Sequence, residues 1–244
     1  MLAHPPILPL LILRPEPGAS ATLAAARKLG LQARAFPLFA VRPLAWEPPA
    51  RGEVDALLLG SANALRHAGD ALALYRGLPA YTVGETTAEA AQAAGLDIIA
   101  TGRGGLQPLL SALLPHHHRL LRLAGRERIV LDPPPGVAIT TREVYASEPL
   151  PMPEGLPQAL AGPTLVLLHS GEAAARFAHL CEEARIDRTA IALAAIGPRV
   201  AERAGEGWAQ VRSAQSADDT ALLALAVEMC QKPASQIPAA RKRP

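Results

Sequence analysis

The feature that most constrains this chain is an internal duplication. Tyr81-Thr82-Val83-Gly84-Glu85-Thr86-Thr87-Ala88-Glu89-Ala90-Ala91 is echoed by Ala194-Ala195-Ile196-Gly197-Pro198-Arg199-Val200-Ala201-Glu202-Arg203-Ala204. Each copy runs apolar strand, glycine, three loop residues, then a helix containing Ala and Glu. Upstream lies a second matched pair, Leu57-Leu58-Leu59-Gly60-Ser61 and Val166-Leu167-Leu168-His169-Ser170; downstream, Leu109-Leu110 and Leu222-Leu223 sit at equal distances from Gly84 and Gly197. A repeat of this size implies two similar domains rather than a short-period solenoid. Two domains make a cleft, a usual place for a ligand.

Half of the residues are apolar but only 3% are aromatic, and Ala and Leu dominate. That composition favours helices packed closely on a sheet. No apolar run approaches the ~18 residues of a membrane span, and the start, Met1-Leu2-Ala3-His4-Pro5-Pro6, lacks the basic segment of a signal peptide. Cys181 and Cys230 form neither a CxxC nor a zinc spacing and read as buried free thiols, so the expected location is the cytoplasm. A net charge of +2 argues against nucleic acid as a partner, since the phosphate backbone selects a concentrated basic face. It leaves room for a small polyanion.

The coarse pattern is an alternation of strands and helices, the mark of a parallel α/β sheet. Strands are expected at 7–13, 31–36, 54–59, 80–83, 96–100, 119–123, 164–169, 190–196 and 209–212. Helices are expected at 18–29, 63–74, 87–94, 106–114, 172–184, 199–204 and 218–229. Asp132-Pro133-Pro134-Pro135-Gly136 excludes a helix there, and 137–146 reads as extended. The opening block is too small for a domain and the closing block lacks its first strands. Joining them gives one discontinuous α/β domain, 1–36 plus 150–232, with a second, 43–141, inserted. Segments 37–42 and 142–149 would cross side by side as a hinge ribbon. The tail, 233–244, rich in Pro, Ala and Lys/Arg, is expected to be disordered.

In open parallel sheets ligands bind beyond the carboxyl ends of the strands. The candidate residues are therefore Arg14; Ser61-Ala62-Asn63; Glu85-Thr86-Thr87; Ser170-Gly171; and Gly197-Pro198-Arg199. Several of these turns open a helix, where free N–H groups and the dipole favour an anion. Ser61 and Ser170 also suit helix caps, worth roughly 1 kcal/mol each. No P-loop is present, Gly102-Arg103-Gly104-Gly105 is not a dinucleotide fingerprint, neither strand-end serine fits a nucleophile elbow, and His116-His117-His118 cannot all face one metal. No metal and no cofactor are expected.

Ile12-Leu13-Arg14-Pro15, Leu58-Leu59-Gly60-Ser61-Ala62-Asn63-Ala64, Val83-Gly84-Glu85-Thr86-Thr87-Ala88, Glu143-Val144-Tyr145 and Ile196-Gly197-Pro198 resemble, in order and nearly to residue 230, the uroporphyrinogen-III synthase family. The resemblance implies two flavodoxin-like parallel-sheet domains joined by a two-stranded ribbon. It also implies a cofactor-independent lyase of haem biosynthesis; the chain is expected to be a monomer. The implied substrate is hydroxymethylbilane, a linear tetrapyrrole with eight carboxylates, closed with inversion of ring D through an azafulvene and a spiro intermediate. Tyr145 matches the family's cleft tyrosine, which is proposed to assist departure of the hydroxyl, and Thr87, Ser61 and Ser170 match positions lining the cleft, so Tyr145 and Thr87 are the expected catalytic residues. Where family members often carry a Thr pair after Ile-Gly-Pro, this chain has Arg199-Val200; Arg199 is expected to supply a carboxylate contact instead. The contrasting reading is a non-catalytic two-domain ligand-binding or sensor module.

Overall fold

In a computed structural model, residues 8–231 are described. Met1–Ile7 and 232–244, including the tail expected to be disordered, lie outside them. The chain divides into two compact units, Met1–Ala40 with Pro149–Pro244, and Val41–Glu148.

The first unit holds a five-stranded parallel sheet. Its strands are β1 (Leu10–Ile12), β2 (Ala33–Ala35), β9 (Thr164–Leu168), β10 (Ile191–Ala195) and β11 (Gln210–Ser213), in the spatial order β2-β1-β9-β10-β11. β1 pairs in parallel with both β2 and β9. The order 2-1-3-4-5 is that of flavodoxin-like sheets. The central strands read as unbroken apolar runs because both faces are covered. Leu10, Ile12, Leu165 and Leu167 pack on one face with Leu222, Ala226 and Met229 of α8 (Asp219–Gln231). Leu11, Leu13, Val166 and Leu168 pack on the other with Phe177 and Leu180 of α6 (Gly171–Glu183). The first helix, α1 (Gly18–Lys28), ends at Gly30, whose φ of +78° suits a glycine stop.

The second unit holds a six-stranded sheet. Its strands are β3 (Phe39–Pro43), β4 (Ala56–Leu59), β5 (Pro79–Val83), β6 (Asp97–Gly102), β7 (Arg119–Gly125) and β8 (Ala138–Pro149). The order is β3-β8-β7-β4-β5-β6. Leaving out β3, the sheet has the same plan as the first: β8 and β7 occupy the places of β2 and β1, and β4, β5 and β6 those of β9, β10 and β11. The sequence repeat is therefore a repeat in space, Ser61 standing to β4 as Ser170 to β9, and Gly84 to β5 as Gly197 to β10. The strands carrying the chain between units, β3 and β8, are neighbours, with Leu44 N–H bonded to the Val144 carbonyl at 2.9 Å. The segment expected at 37–42 to cross as a ribbon is thus largely the strand β3.

The helix expected at 63–74 is shorter. It runs as α2 (Ala62–His67) and then becomes a 3₁₀ turn, Gly69–Tyr75, where Gly69 adopts φ +66°. The helix expected at 106–114 is α4 (Leu106–Leu109) and a 3₁₀ turn after it. The remaining helices of the repeat are α3 (Glu85–Ala93) and α7 (Pro198–Arg203), with a short α5 (Leu156–Ala159) before β9. Between β7 and β8 there is no helix. Residues 126–137 cross as a loop, as the three prolines dictate. No described helix is long and apolar enough to cross a membrane.

Asp55 fastens β4 to β7. It accepts from the His118 and Arg119 backbone N–H groups at 3.0 and 2.8 Å and from the Arg119 guanidinium at 2.6 Å. These bonds, the Arg119 side chain first, outweigh burial and lower its pKa from 3.8 to about 2. A depressed carboxyl pKa stabilises the fold above the unfolded value, here 3.8, and that contribution vanishes as pH falls through about 2. Arg119 is half exposed, so solvent screening holds the contribution well below its unscreened value. Asp55→Asn should lower the melting temperature at pH 7 by a few degrees, and melts at descending pH should show the gap to the parent chain closing between pH 4 and 2.

Candidate active site

Sheets of this order bind ligands where strand order reverses, beyond the carboxyl ends of the two strands flanking that point. In the second unit those strands are β4 and β7. A cavity of about 200 Å³ lies there, lined by Gly60 and Ser61 after β4, Gly125 ending β7, Gly105, Arg122 and Tyr145 of β8. Ser61 and Tyr145, far apart in sequence, are thus brought together. Glycines let the backbone approach: Gly105 has φ +111°, a conformation L side chains rarely adopt.

Tyr145 lies directly on Gly125. The two residues are register partners across β7 and β8 at a bulge, and the Arg126 N–H donates to the Tyr145 carbonyl at 2.9 Å. A Cβ at position 125 would stand 2.7 Å from the phenol ring and 3.0 Å from its oxygen. His67 of α2 flanks the phenol, ring centroids 6.1 Å apart. Burial, and then the charge of Arg66, hold His67 below the ordinary imidazole value, so this neighbour is neutral at pH 7. Ser61 caps α2, its Oγ accepting from the Asn63 N–H at 3.2 Å. The hydroxyl proton stays available to a ligand, so the cap role and a binding role coexist. Ala62 is buried and Asn63 half-buried behind it.

Thr87, in the first turn of α3, is buried with 5% exposure, whereas Thr86 beside it is exposed. Neither lines the Tyr145 cavity. Glu85 occupies the same first turn, and Glu172 the first turn of α6. Each carboxylate competes for the N–H groups that an anionic ligand would use, which weakens those two helix ends as carboxylate sites.

In the first unit the corresponding strands are β1 and β9. The Arg14 Nη1 donates to Asp219 Oδ1 at 3.3 Å and to Thr22 Oγ1 at 3.2 Å, while Thr22 donates to Asp219 Oδ2 at 2.7 Å. His169, directly after β9, meets Asp219 Oδ1 through Nε2 at 2.8 Å. Burial raises the Asp219 pKa, but bonds from His169 and Thr22 and the charges of His169 and Arg14 outweigh it, and the net shift is downward. Neither His169 nor Asp219 was among the residues singled out at the strand ends, yet the two meet there. Arg14, a candidate contact for an anionic ligand, already has a counter-ion. It also lies folded over Gly18, where a Cβ would come within 2.4 Å of its guanidinium. Ser170 caps α6 through the Ala173 N–H at 3.1 Å, and Gly171 faces the Arg203 stem. Gly197 is extended at φ −172°, Pro198 begins α7, and Arg199 is exposed with no counter-ion among the described residues. Arg14→Ala is expected to cost about 1 kcal/mol in stability, since the pair is one-third exposed. If Arg14 also holds a substrate carboxylate, KM in steady-state kinetics should rise severalfold with kcat little changed.

Among known proteins, the family model described as uroporphyrinogen-III synthase HemD matches residues 20–224. The uroporphyrinogen-III synthetase of Helicobacter pylori superposes with a TM-score of 0.64 at 17% identity, covering 91% of this chain and 99% of that one. A uroporphyrinogen III synthase from the extremely thermophilic bacterium Thermus thermophilus is 20% identical, covering 94% of this chain and 98% of that one, with a TM-score of 0.39. No curated protein sequence matches at a significant level.

Proposed function

This chain belongs to the uroporphyrinogen-III synthase family, a family of lyases in tetrapyrrole synthesis, and we propose that it cyclises hydroxymethylbilane at the Tyr145 cavity without a cofactor. The observation that carries the reading is the convergence of Tyr145 and Ser61 in one cavity at the point of strand-order reversal. The first event is loss of the terminal hydroxyl, which leaves with a proton as water. A phenol is protonated at neutral pH and can donate to that oxygen. Tyr145 is the group assigned to this role. The pyrrole ring itself stabilises the azafulvene cation left behind. The protein has then to hold ring D so that its substituted carbon, rather than its free one, attacks and forms the spiro intermediate, whose fragmentation and re-closure give the inverted isomer. Positioning of this kind is worth several kcal/mol of the barrier. The glycines of the cavity wall and the Ser61 hydroxyl are the groups assigned to it.

Thr87 is buried in the first turn of α3 outside the wall of this cavity, and is proposed as a second catalytic residue with a smaller effect than Tyr145. Arg14, Thr86, Ser170, Gly171, Gly197, Pro198 and Arg199 are proposed contacts for the remaining carboxylates. Cys181 and Cys230 are buried free thiols with pKa values pushed up by burial to about 11, which suits the cytoplasm. Hydrogen exchange with and without hydroxymethylbilane tests the location. Amides of residues 60–63 and 124–126 should exchange more slowly with substrate; unchanged exchange there would move the site elsewhere.

A further inference from the structure

Arg122 is anomalous. It stands in the middle of β7 in the run Arg119-Leu120-Leu121-Arg122-Leu123-Ala124-Gly125, and it is only 6% exposed. By strand alternation it shares a face with Leu120 and Ala124. Leu120 packs on that face with Leu106, Leu109 and Tyr81. Buried arginines normally have a carboxylate partner. Arg122 has none: its Nη1 donates to the Ile129 carbonyl at 2.9 Å, and its Nε has no partner among the described residues. Acidic residues of the loop and of β8 are exposed or committed, Glu127 and Asp132 being exposed. Glu143 pairs with Arg128 at 2.6 Å and stands 4.0 Å from Arg126, and Glu127 is exposed on the rim of the Tyr145 cavity.

The fold explains the space around it. Parallel neighbours such as β7 and β8 are ordinarily joined by a helix that covers one sheet face. Here 126–137 crosses as a loop held off the sheet. The Gln107 side chain clamps Asp132, donating to its carbonyl and accepting from its N–H at 2.9 Å each, and a turn closes from the Val137 N–H to the Pro134 carbonyl. Beneath the loop lies a cavity of about 480 Å³ lined by Arg122, Arg126, Arg128, Ile139 and Thr141. Its rim carries Ile129 and Val130, 60% and 94% exposed. Arg122 and Arg128 line both this cavity and the one containing Tyr145.

We infer that Arg122, with Arg126 and Arg128, forms a subsite under the 126–137 loop for an alkyl carboxylate arm of the substrate. The inference rests on the synthase reading for the identity of the ligand. A cation kept out of water without a counter-ion is a preorganised receptor: a carboxylate that reaches it gains a charge-assisted bond in a low-dielectric setting. Three arginines against one paired carboxylate leave the cavity cationic. An apolar rim over a cationic floor matches a ligand of apolar rings bearing carboxylate arms. Burial, followed by the charge of Arg128, pushes the Arg122 pKa down from its ordinary value, the direction expected for a cation awaiting an anion.

The test uses Arg122→Met on the full chain. Replacing a buried unpaired charge by an apolar group should leave the melting temperature equal or raised. The KM for hydroxymethylbilane should rise about ten- to a hundredfold, the fold-change of one lost charge-assisted contact, with kcat within about threefold. Independently of catalysis, sodium succinate should raise the melting temperature of the parent chain above that in sodium chloride of equal ionic strength, and Arg122→Met should abolish this difference. A parent chain that ignores succinate, or a variant that keeps the full succinate shift, overturns the subsite. A succinate shift lost with KM unchanged overturns its assignment to the substrate. A melting temperature that drops sharply while KM stays constant makes Arg122 a structural residue and also overturns it. Should the parent chain make no uroporphyrinogen III at all, the synthase reading fails, and the succinate comparison still decides the subsite by itself.

Discussion

Tyr145→Phe is expected to lower kcat for uroporphyrinogen III formation about ten- to a thousandfold while changing KM little. General acids contribute about 10²–10⁴, and the loss should fall at or below that range because the hydroxyl departs from an already activated pyrrole. Tyr145 is the proposed donor: it shares the cavity wall with Ser61, and its aromatic neighbour among the described residues, His67, is held neutral by burial and by Arg66. The substitution removes one oxygen and keeps the ring that packs on Gly125, so the fold should be undisturbed and the change should read in kcat alone. Thr87→Ala should cost less, since Thr87 is buried outside the cavity wall. Val200→Thr should cost little, because position 200 already serves without a hydroxyl. Steady-state kinetics with the three variants in parallel give the ranking. Full turnover by Tyr145→Phe, still with isomer III as product, would transfer the donor role to a bound water or to a substrate carboxyl.

Gly125→Ala is expected to reproduce much of that loss without touching the phenol. The new Cβ would lie 2.7 Å from the Tyr145 ring, closer than non-bonded carbons approach, so the ring must leave its place over β7. Overpacking of this kind costs roughly 1–3 kcal/mol, which should lower the melting temperature by several degrees in addition to lowering kcat. The decisive form is a double-mutant cycle. If Gly125 acts by placing the phenol, Gly125→Ala should subtract almost nothing from kcat in a Tyr145→Phe background. Additive losses would mean that Gly125 serves the cavity in some other way.

Much of this fold was legible because the strands announce themselves. Runs such as Leu57-Leu58-Leu59 and Val166-Leu167-Leu168 can only be buried on both faces, and each is followed by a Ser at an equivalent place, so the repeat in sequence became a repeat in space. Pro133-Pro134-Pro135 likewise excluded the helix that the structure lacks. Helix length was less legible: the 3.6-residue pattern continues through Gly69, but a backbone at φ +66° ends the helix there. Ser61 was singled out by the strand-end rule and Tyr145 by the family resemblance, and both line the cavity of the second unit. What escaped were partnerships across long sequence separation. Nothing in the sequence pairs Arg14 with Asp219, 205 residues away, which holds it, or brings His169 to the same carboxylate. Arg122 escaped for a different reason. Inside the apolar strand expected at 119–123 it was not singled out, although a charge between Leu121 and Leu123 is unusual in a buried strand.

The central claim is that this chain catalyses ring closure with inversion. Hydroxymethylbilane closes spontaneously to the uninverted isomer I, so the direct measurement is to incubate it with the purified chain, oxidise the products and separate the porphyrin isomers. Isomer III in large excess over isomer I, with that excess proportional to protein at short times, is the expected result. Isomer I alone, at the uncatalysed rate and with tight binding of the substrate, would contradict the claim and restore the reading of a ligand-binding module without catalysis.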